Sequence, residues 1–245
     1  MSLTKHIPNF FSCLNLLAGS IAIVLVFDRQ LHYAAILVVI AAVFDFLDGF
    51  AARLFKAYSA IGKELDSLAD LVSFGLLPGV LMYSYMVQCV PPWSPVLLGL
   101  DLIPFLAFLI TVFSAMRLAK FNTDNSQTEN FIGLPTPANA IFFISFPILI
   151  YYGNPESAMY ILMQNLLQNF FFLLLVTLLF SFLLVSPFPM FSLKFNSLAF
   201  GSNQLRYTFI LFVLFLFIVF RIEALPLIII LYLIVSFVGR KLNLL

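Results

Sequence analysis

Long apolar stretches alternate with short polar interruptions along this chain, the pattern of helices surrounded by lipid rather than of helices with one wet face. About 20 apolar residues are needed to cross a hydrocarbon core. Eight runs approach that length: residues 8–27, 31–50, 65–87, 96–116, 137–152, 166–185, 207–220 and 224–238. The last two are short, and only Arg221 and Glu223 divide them. Charge gives an independent check, because cytoplasmic loops collect Lys and Arg. An even number of spans places Lys5, Arg53, Lys56, Lys63, Arg117, Lys120, Lys194, Arg206, Arg240 and Lys241 on the N-terminal side and leaves Arg29 and Arg221 opposite. The pattern therefore predicts an all-α polytopic membrane bundle of about eight transmembrane helices, both termini cytoplasmic, built as a single integral-membrane domain over residues 1–245.

Composition agrees. Of the residues 63% are hydrophobic and 9% charged, with mean hydropathy +1.10, whereas about a quarter of a soluble domain is charged. The net charge of +1 comes without a basic stripe, so nucleic acid is not an expected partner. Cys13 and Cys89 lack partners at metal-ligand spacing and are expected to be apolar fillers. The first apolar run is too long for a signal peptide and is expected to remain as a helix. His6 and His32 are predicted on opposite membrane faces, which argues against Ser-His-Asp hydrolysis. Trp93, Tyr151 and Tyr152 fit interfacial anchors, and Asp101 is expected near the start of the fourth span, reaching outward.

Against this background residues 45–70, DFLDGFAARLFKAYSAIGKELDSLAD, stand out. Asp45 and Asp48 lie three apart at the end of one run, and Asp66 and Asp70 four apart at the start of the next, so each pair shares a helix face. An acid at mid-membrane costs about 2.5–3.5 kcal/mol on insertion scales. Four of them imply a cavity, water or bound cations. Hard divalent ions such as Mg²⁺, Mn²⁺ or Ca²⁺ take carboxylate oxygens together with substrate phosphate, and two such ions would clamp the attacking and leaving oxygens of a phosphoryl transfer. Gly49 and Gly62 allow close approach of a nucleotide or diphosphate to the backbone, and Arg53 is the nearest expected cation. A cation transporter is the competing class, but it predicts acids spread through the membrane depth, and here all four fall at one end.

A second polar stretch, SAMRLAKFNTDNSQTENFIGLPTPANA, is predicted on the same cytoplasmic side. Arg117 and Lys120, three apart, can hold a phosphate or a carboxylate at the membrane edge. Asn122, Asn125, Ser126 and Thr128 add neutral polar groups, and Pro135 and Pro137 stiffen the entry to the fifth span.

The string at Asp45, Asp48, Gly49, Ala52, Arg53, Gly62, Asp66 and Asp70 resembles, without departure, the D-x-x-D-G-x-x-A-R-(x)8-G-x-x-x-D-x-x-x-D signature of the CDP-alcohol phosphotransferases. The opening at Ile7, Pro8, Asn9, Asn15 and Gly19, the Ser73–Gly75 tripeptide, R-x-x-K-F-N with F-I-G-L-P-x-P-A, and the run 184–194 are similar to the phosphatidylserine synthase branch. Phe50, where a smaller or basic residue is expected, is the one departure. The resemblance is good to about residue 150, which divides the chain into a catalytic core at 1–152 and additional helices at 153–245. It implies transfer of a phosphatidyl group from CDP-diacylglycerol to L-serine, with release of CMP. In that reading Asp45, Asp48, Asp66 and Asp70 hold two divalent ions, and Asp70, with Asp66, is catalytic, Asp70 acting as base. Gly49, Ala52, Arg53 and Gly62 contact CDP-diacylglycerol, and Arg117, Lys120 and Asn122 contact the acceptor. Glycerol 3-phosphate or inositol phosphate is the alternative acceptor. A homodimer in the cell inner membrane, with its active site facing the cytoplasm, is implied as well.

Overall fold

The computed structural model describes residues 6–123, 131–191 and 203–241. Helix α1 (Ile7–Phe27) opens with Pro8, where no backbone N–H is needed. A tight turn with Arg29 at φ 61° sends the chain back as α2 (Leu31–Leu54). The two helices meet through Ala18, Ala22, Ala34, Ala35, Val38 and Ala41, all buried. Small side chains let backbones approach closely where lipid offers no hydrophobic drive between helices. Helix α3 (Ala60–Asp70) is capped by Ser59, whose hydroxyl accepts from the Gly62 N–H at 3.0 Å. It passes through a π-helical segment, Leu71–Leu76, into α4 (Leu77–Met86).

The fourth predicted span needs a correction. Residues 96–102 are apolar but not helical: β1 (Val96–Leu97) and β2 (Leu100–Asp101) form an antiparallel hairpin. Leu98 at φ 52° and Gly99 at φ 77° make its turn, the paired positive angles that favour a two-residue hairpin. Asp101 therefore lies on the hairpin, outside the helix. The helical rod starts at Ile103 and continues as α5 (Leu109–Thr123), which carries both Arg117 and Lys120.

Helix α6 (Thr136–Tyr152) follows as expected. The sixth run is helical from Phe170 onward, and a further helix that the apolar pattern did not mark precedes it. Helices α7 (Ala158–Leu167) and α8 (Phe170–Val185) meet at 89°, and Asn169 caps α8 by accepting from the Phe172 N–H at 3.1 Å. Helices α9 (Gln204–Phe220) and α10 (Leu225–Lys241) complete the described chain. Among the described residues, five stretches are long and apolar enough to cross a membrane, or six with the bent α7–α8 pair counted as one span; the chain is an all-α membrane bundle. The stretch Gln204–Lys241 is not one rod. Rings of Phe209 and Tyr232 lie 6.0 Å apart, although a straight helix at 1.5 Å per residue would separate them by about 35 Å. The chain turns back at Arg221, φ 51°, where the sequence divides the last two runs.

Bulky side chains fill the centre. Phe74, Phe143, Phe146, Met82 and Met86 are fully buried, and Phe142 stacks on Phe180 at 3.9 Å. Strands β3 (Phe131–Ile132) and β4 (Pro189–Met190) pair antiparallel and tie the segment before α6 to the segment after α8. The Gly133 N–H donates to Phe188 O at 2.8 Å and the Leu134 N–H to Leu183 O at 2.9 Å. Gly133 has φ 79° and passes against the Leu184 carbonyl, so no side chain fits there.

Candidate active site

Both helices carrying the acidic motif are longer than their apolar runs: α2 extends to Leu54 and α3 begins at Ala60. Only residues 55–59 connect them, which brings the C-terminal end of α2 beside the start of α3. Asp45, Asp48 and Asp66 each offer an oxygen within 4.8 Å of the other two. Unit charges that close repel by about 3.5 kcal/mol per pair at an effective dielectric constant of 20. A cation removes that repulsion. The donor set is carboxylate oxygen alone, which suits a hard divalent ion, and Asp66 Oδ1 is buried without a partner, as an unfilled ligand atom would be.

Asp70 stands apart from this triad. One helical turn beyond Asp66 is a rise of about 6 Å, and Asp70 there is 9% exposed, its Oδ1 accepting from Asn15 Nδ2 at 3.1 Å. The four expected ligands are thus arranged as three together and one deeper.

Helix α1 supplies what sequence reasoning did not assign. Ser12 Oγ donates to Asp48 Oδ2 at 2.7 Å, and Asn15, one turn on, donates to Asp70. Ser73 Oγ donates to the Asn15 carbonyl at 3.0 Å and fixes α1 against the π-helical segment. A lone serine in an apolar run looks like filler. The available signal was the spacing of Pro8, Ser12, Asn15 and Gly19, a stripe of small and polar residues down one face.

Beside the triad is a cavity of about 290 Å³. Gly49, Ala52, Arg53 and Gly62 all line it, with Asp48 and Asp66 at one wall and Asn9, Tyr58 and Lys63 as unforeseen neighbours. Arg53 lies back along α2, its Nη1 3.6 Å from where a Cβ on Gly49 would stand. Gly62 has a packing reason besides ligand space: a Cβ there would stand 2.8 Å from Asn9 Oδ1.

The second constellation is divided. Arg117 is 8% exposed and its Nε has no partner. Lys120, exposed one turn on, shares with it a small hollow against Ile132 and Ser186. Asn122 is engaged elsewhere: its Nδ2 donates to Ser67 Oγ at 2.8 Å and its carbonyl accepts from Lys63 Nζ at 2.8 Å, tying α5 to α3. Lys5, Asn125, Ser126, Thr128 and Lys194 lie outside the described residues.

Three relatives illustrate what the chain is similar to. The archaetidylserine synthase of Methanothermobacter thermautotrophicus is 34% identical over 164 residues, covering 66% of this chain and 66% of that protein. The CDP-diacylglycerol–serine O-phosphatidyltransferase of Bacillus subtilis is 34% identical over 155 residues, 61% of this chain and 82% of that protein. The enzyme of the same name from Mycobacterium leprae is 36% identical over 146 residues, 56% of this chain but 45% of its own length. The chain thus spans from about half to four fifths of these relatives. Residues 5–183, which include the acidic triad, Asp70, the cavity and Arg117, match the CDP-alcohol phosphatidyltransferase family, and the chain belongs to that family.

Proposed function

We propose that the protein transfers a phosphatidyl group from CDP-diacylglycerol to L-serine, giving phosphatidylserine and CMP. The observation that carries this reading is the convergence of Asp45, Asp48 and Asp66 beside a cavity lined by Gly49, Ala52, Arg53 and Gly62. The cavity takes the CDP moiety, with Arg53 against its phosphates. Asp45, Asp48 and Asp66, joined from deeper by Asp70, would hold divalent metal, which supplies charge neutralisation at the diphosphate and on departing CMP. Asp70 receives the proton of the serine hydroxyl as the new oxygen–phosphorus bond forms and the bond to CMP breaks. Asn15 keeps that carboxylate oriented. Arg117, buried and only partly satisfied, pairs with the serine carboxylate, Lys120 borders the entrance, and Asn122 acts on the acceptor side only by holding α5 against α3.

Arg53, Lys56, Lys63 and Lys120 cluster around this end of the bundle, which supports a site facing the cytoplasm and, with eight crossings, both termini inside. The names of the relatives favour serine over glycerol 3-phosphate or inositol phosphate. The test offers purified protein CDP-diacylglycerol, divalent metal and a panel of radiolabelled acceptors. Serine is expected to be incorporated and phosphorylated alcohols not, and Asp45→Asn is expected to lose at least about 100-fold in turnover. Near-normal turnover in that variant, or another preferred acceptor, would remove the assignment.

A further inference from the structure

Asp70 sits between two buried groups with unmet hydrogen-bonding capacity. On the α1 side is Asn15, 0% exposed. An ionised carboxylate only accepts, so the amide must turn its Nδ2 toward Asp70, and this directs Oδ1 away from it. That Oδ1 is buried and has no partner. Ser73 holds the Asn15 backbone in place beside Asp70.

On the other side is α5. Thr111 Oγ1 donates to the Gly75 carbonyl at 3.2 Å, and a Cβ on Gly75 would stand 2.9 Å from Ser114 Cβ, so α5 packs tightly on the π-helical segment at that level. The next turn of α5 toward the inner surface carries Arg117, and the turn before Gly75 carries Asp70. Arg117 and Asp70 are electrostatic neighbours. Around one carboxylate the fold therefore gathers a carbonyl acceptor lacking a donor and a guanidinium with an unpaired N–H.

These demands match a small zwitterion bearing a hydroxyl: a carboxylate for Arg117, a hydroxyl for Asp70, and an ammonium for the free carbonyl of Asn15. A buried amide oxygen rejects a ligand that brings it no donor, because the oxygen then stays unpaired. We infer that Asn15 is a specificity residue that reads the ammonium group of the acceptor, so that the protein selects amino alcohols over hydroxy acids. This rests on the assignment of an alcohol acceptor attacking next to Asp70, and goes beyond it by naming the residue that distinguishes acceptors.

The experiment compares L-serine with 3-hydroxypropionate, which is serine without its amino group. The wild-type protein is expected to favour serine by at least about 100-fold in kcat/KM. Asn15→Ala weakens the support of Asp70 and lowers kcat for both acceptors, but the preference itself is expected to fall at least about 10-fold. Asn15→Asp restores an acceptor for the ammonium and is expected to recover the preference while kcat stays low. Should turnover in Asn15→Ala be too slow to follow, binding of labelled serine carries the comparison, and an affinity at least about 10-fold weaker than wild type is expected. A preference unchanged in Asn15→Ala, or unchanged serine binding, overturns the role of Asn15 and leaves the reaction intact. A wild-type protein that uses neither acceptor overturns the proposed reaction itself.

Discussion

The most apolar 18-residue stretches of helix α1 and of the α9–α10 hairpin are nearly equal in mean hydropathy, 2.3 and 2.6, yet they do opposite things. In α1 the buried positions are Pro8, Ser12, Asn15, Ala18, Gly19, Ala22 and Val26, while its large apolar residues Phe10, Leu17, Ile21 and Val24 point outward. In α9 only Phe209 is buried, and Leu211, Phe212, Leu214, Phe215 and Ile218 are exposed. Within lipid, hydrophobicity no longer distinguishes inside from outside. Small and polar side chains mark protein contact, and large apolar ones mark the lipid face.

Three substitutions test that contrast. Ser12→Ala removes one hydroxyl from the inward face of α1 and with it the 2.7 Å hydrogen bond to Asp48. Groups that orient a metal ligand are worth about 10–100-fold in metal affinity, so the divalent-ion concentration for half-maximal activity is expected to rise by about that factor in a metal titration. An unchanged titration would reduce Ser12 to packing. Gly19→Ala adds one methyl on the same face, against the backbone of Ser73, with Ser73 Cα 2.9 Å from the new carbon. Overpacking of this kind costs about 1–3 kcal/mol, and an unfolding midpoint in detergent that stays at the wild-type value would show that α1 does not press on the π-helical segment. Ile218→Ala strips a larger group from α9, where Ile218 is 80% exposed. Its effect is expected to stay within about 0.5 kcal/mol, with activity unchanged; a larger loss in thermal stability would mean that this face is covered by protein.

Much of the site was legible because it is carried by charge in a chain that avoids charge. Asp45, Asp48 and Asp66 had to converge on something, and the family resemblance assigned Gly49, Ala52, Arg53 and Gly62 to one ligand, consistent with the single cavity that all four line. Less visible were the features that composition does not mark. Residues 96–102 are as apolar as any helix here, and two positive φ angles at Leu98 and Gly99 decide for a hairpin. The α7–α8 corner sits at the start of an apolar run, with Gln168 and Asn169 as its local signs. Helices α2 and α3 outrun the hydrophobic pattern because their facing ends, around residues 48–66, line a polar cavity. Ser12 was hidden because its partner, Asp48, is 36 residues away. Among the later helices, Tyr232 Oη donates to Phe191 O at 3.0 Å, fastening α10 to the segment that follows α8, a contact between residues 41 apart that no local pattern marks.

The wide turn at Leu71–Leu76 sets the angular phase of everything after it. Each residue in an α-helix advances the side chains by about 100°, and a π-turn holds back part of that advance. The rod that begins at Ala60 can therefore aim Asp66 and Asp70 at α1 and α2 and, a few residues later, lay Gly75 and Gly79 edge-on against Thr111 and Ser114. Shortening that turn by one residue would leave a smoother helix with its acids and its glycines out of step, so the irregularity acts as the gear between the chemistry at one end of the rod and its seating at the other.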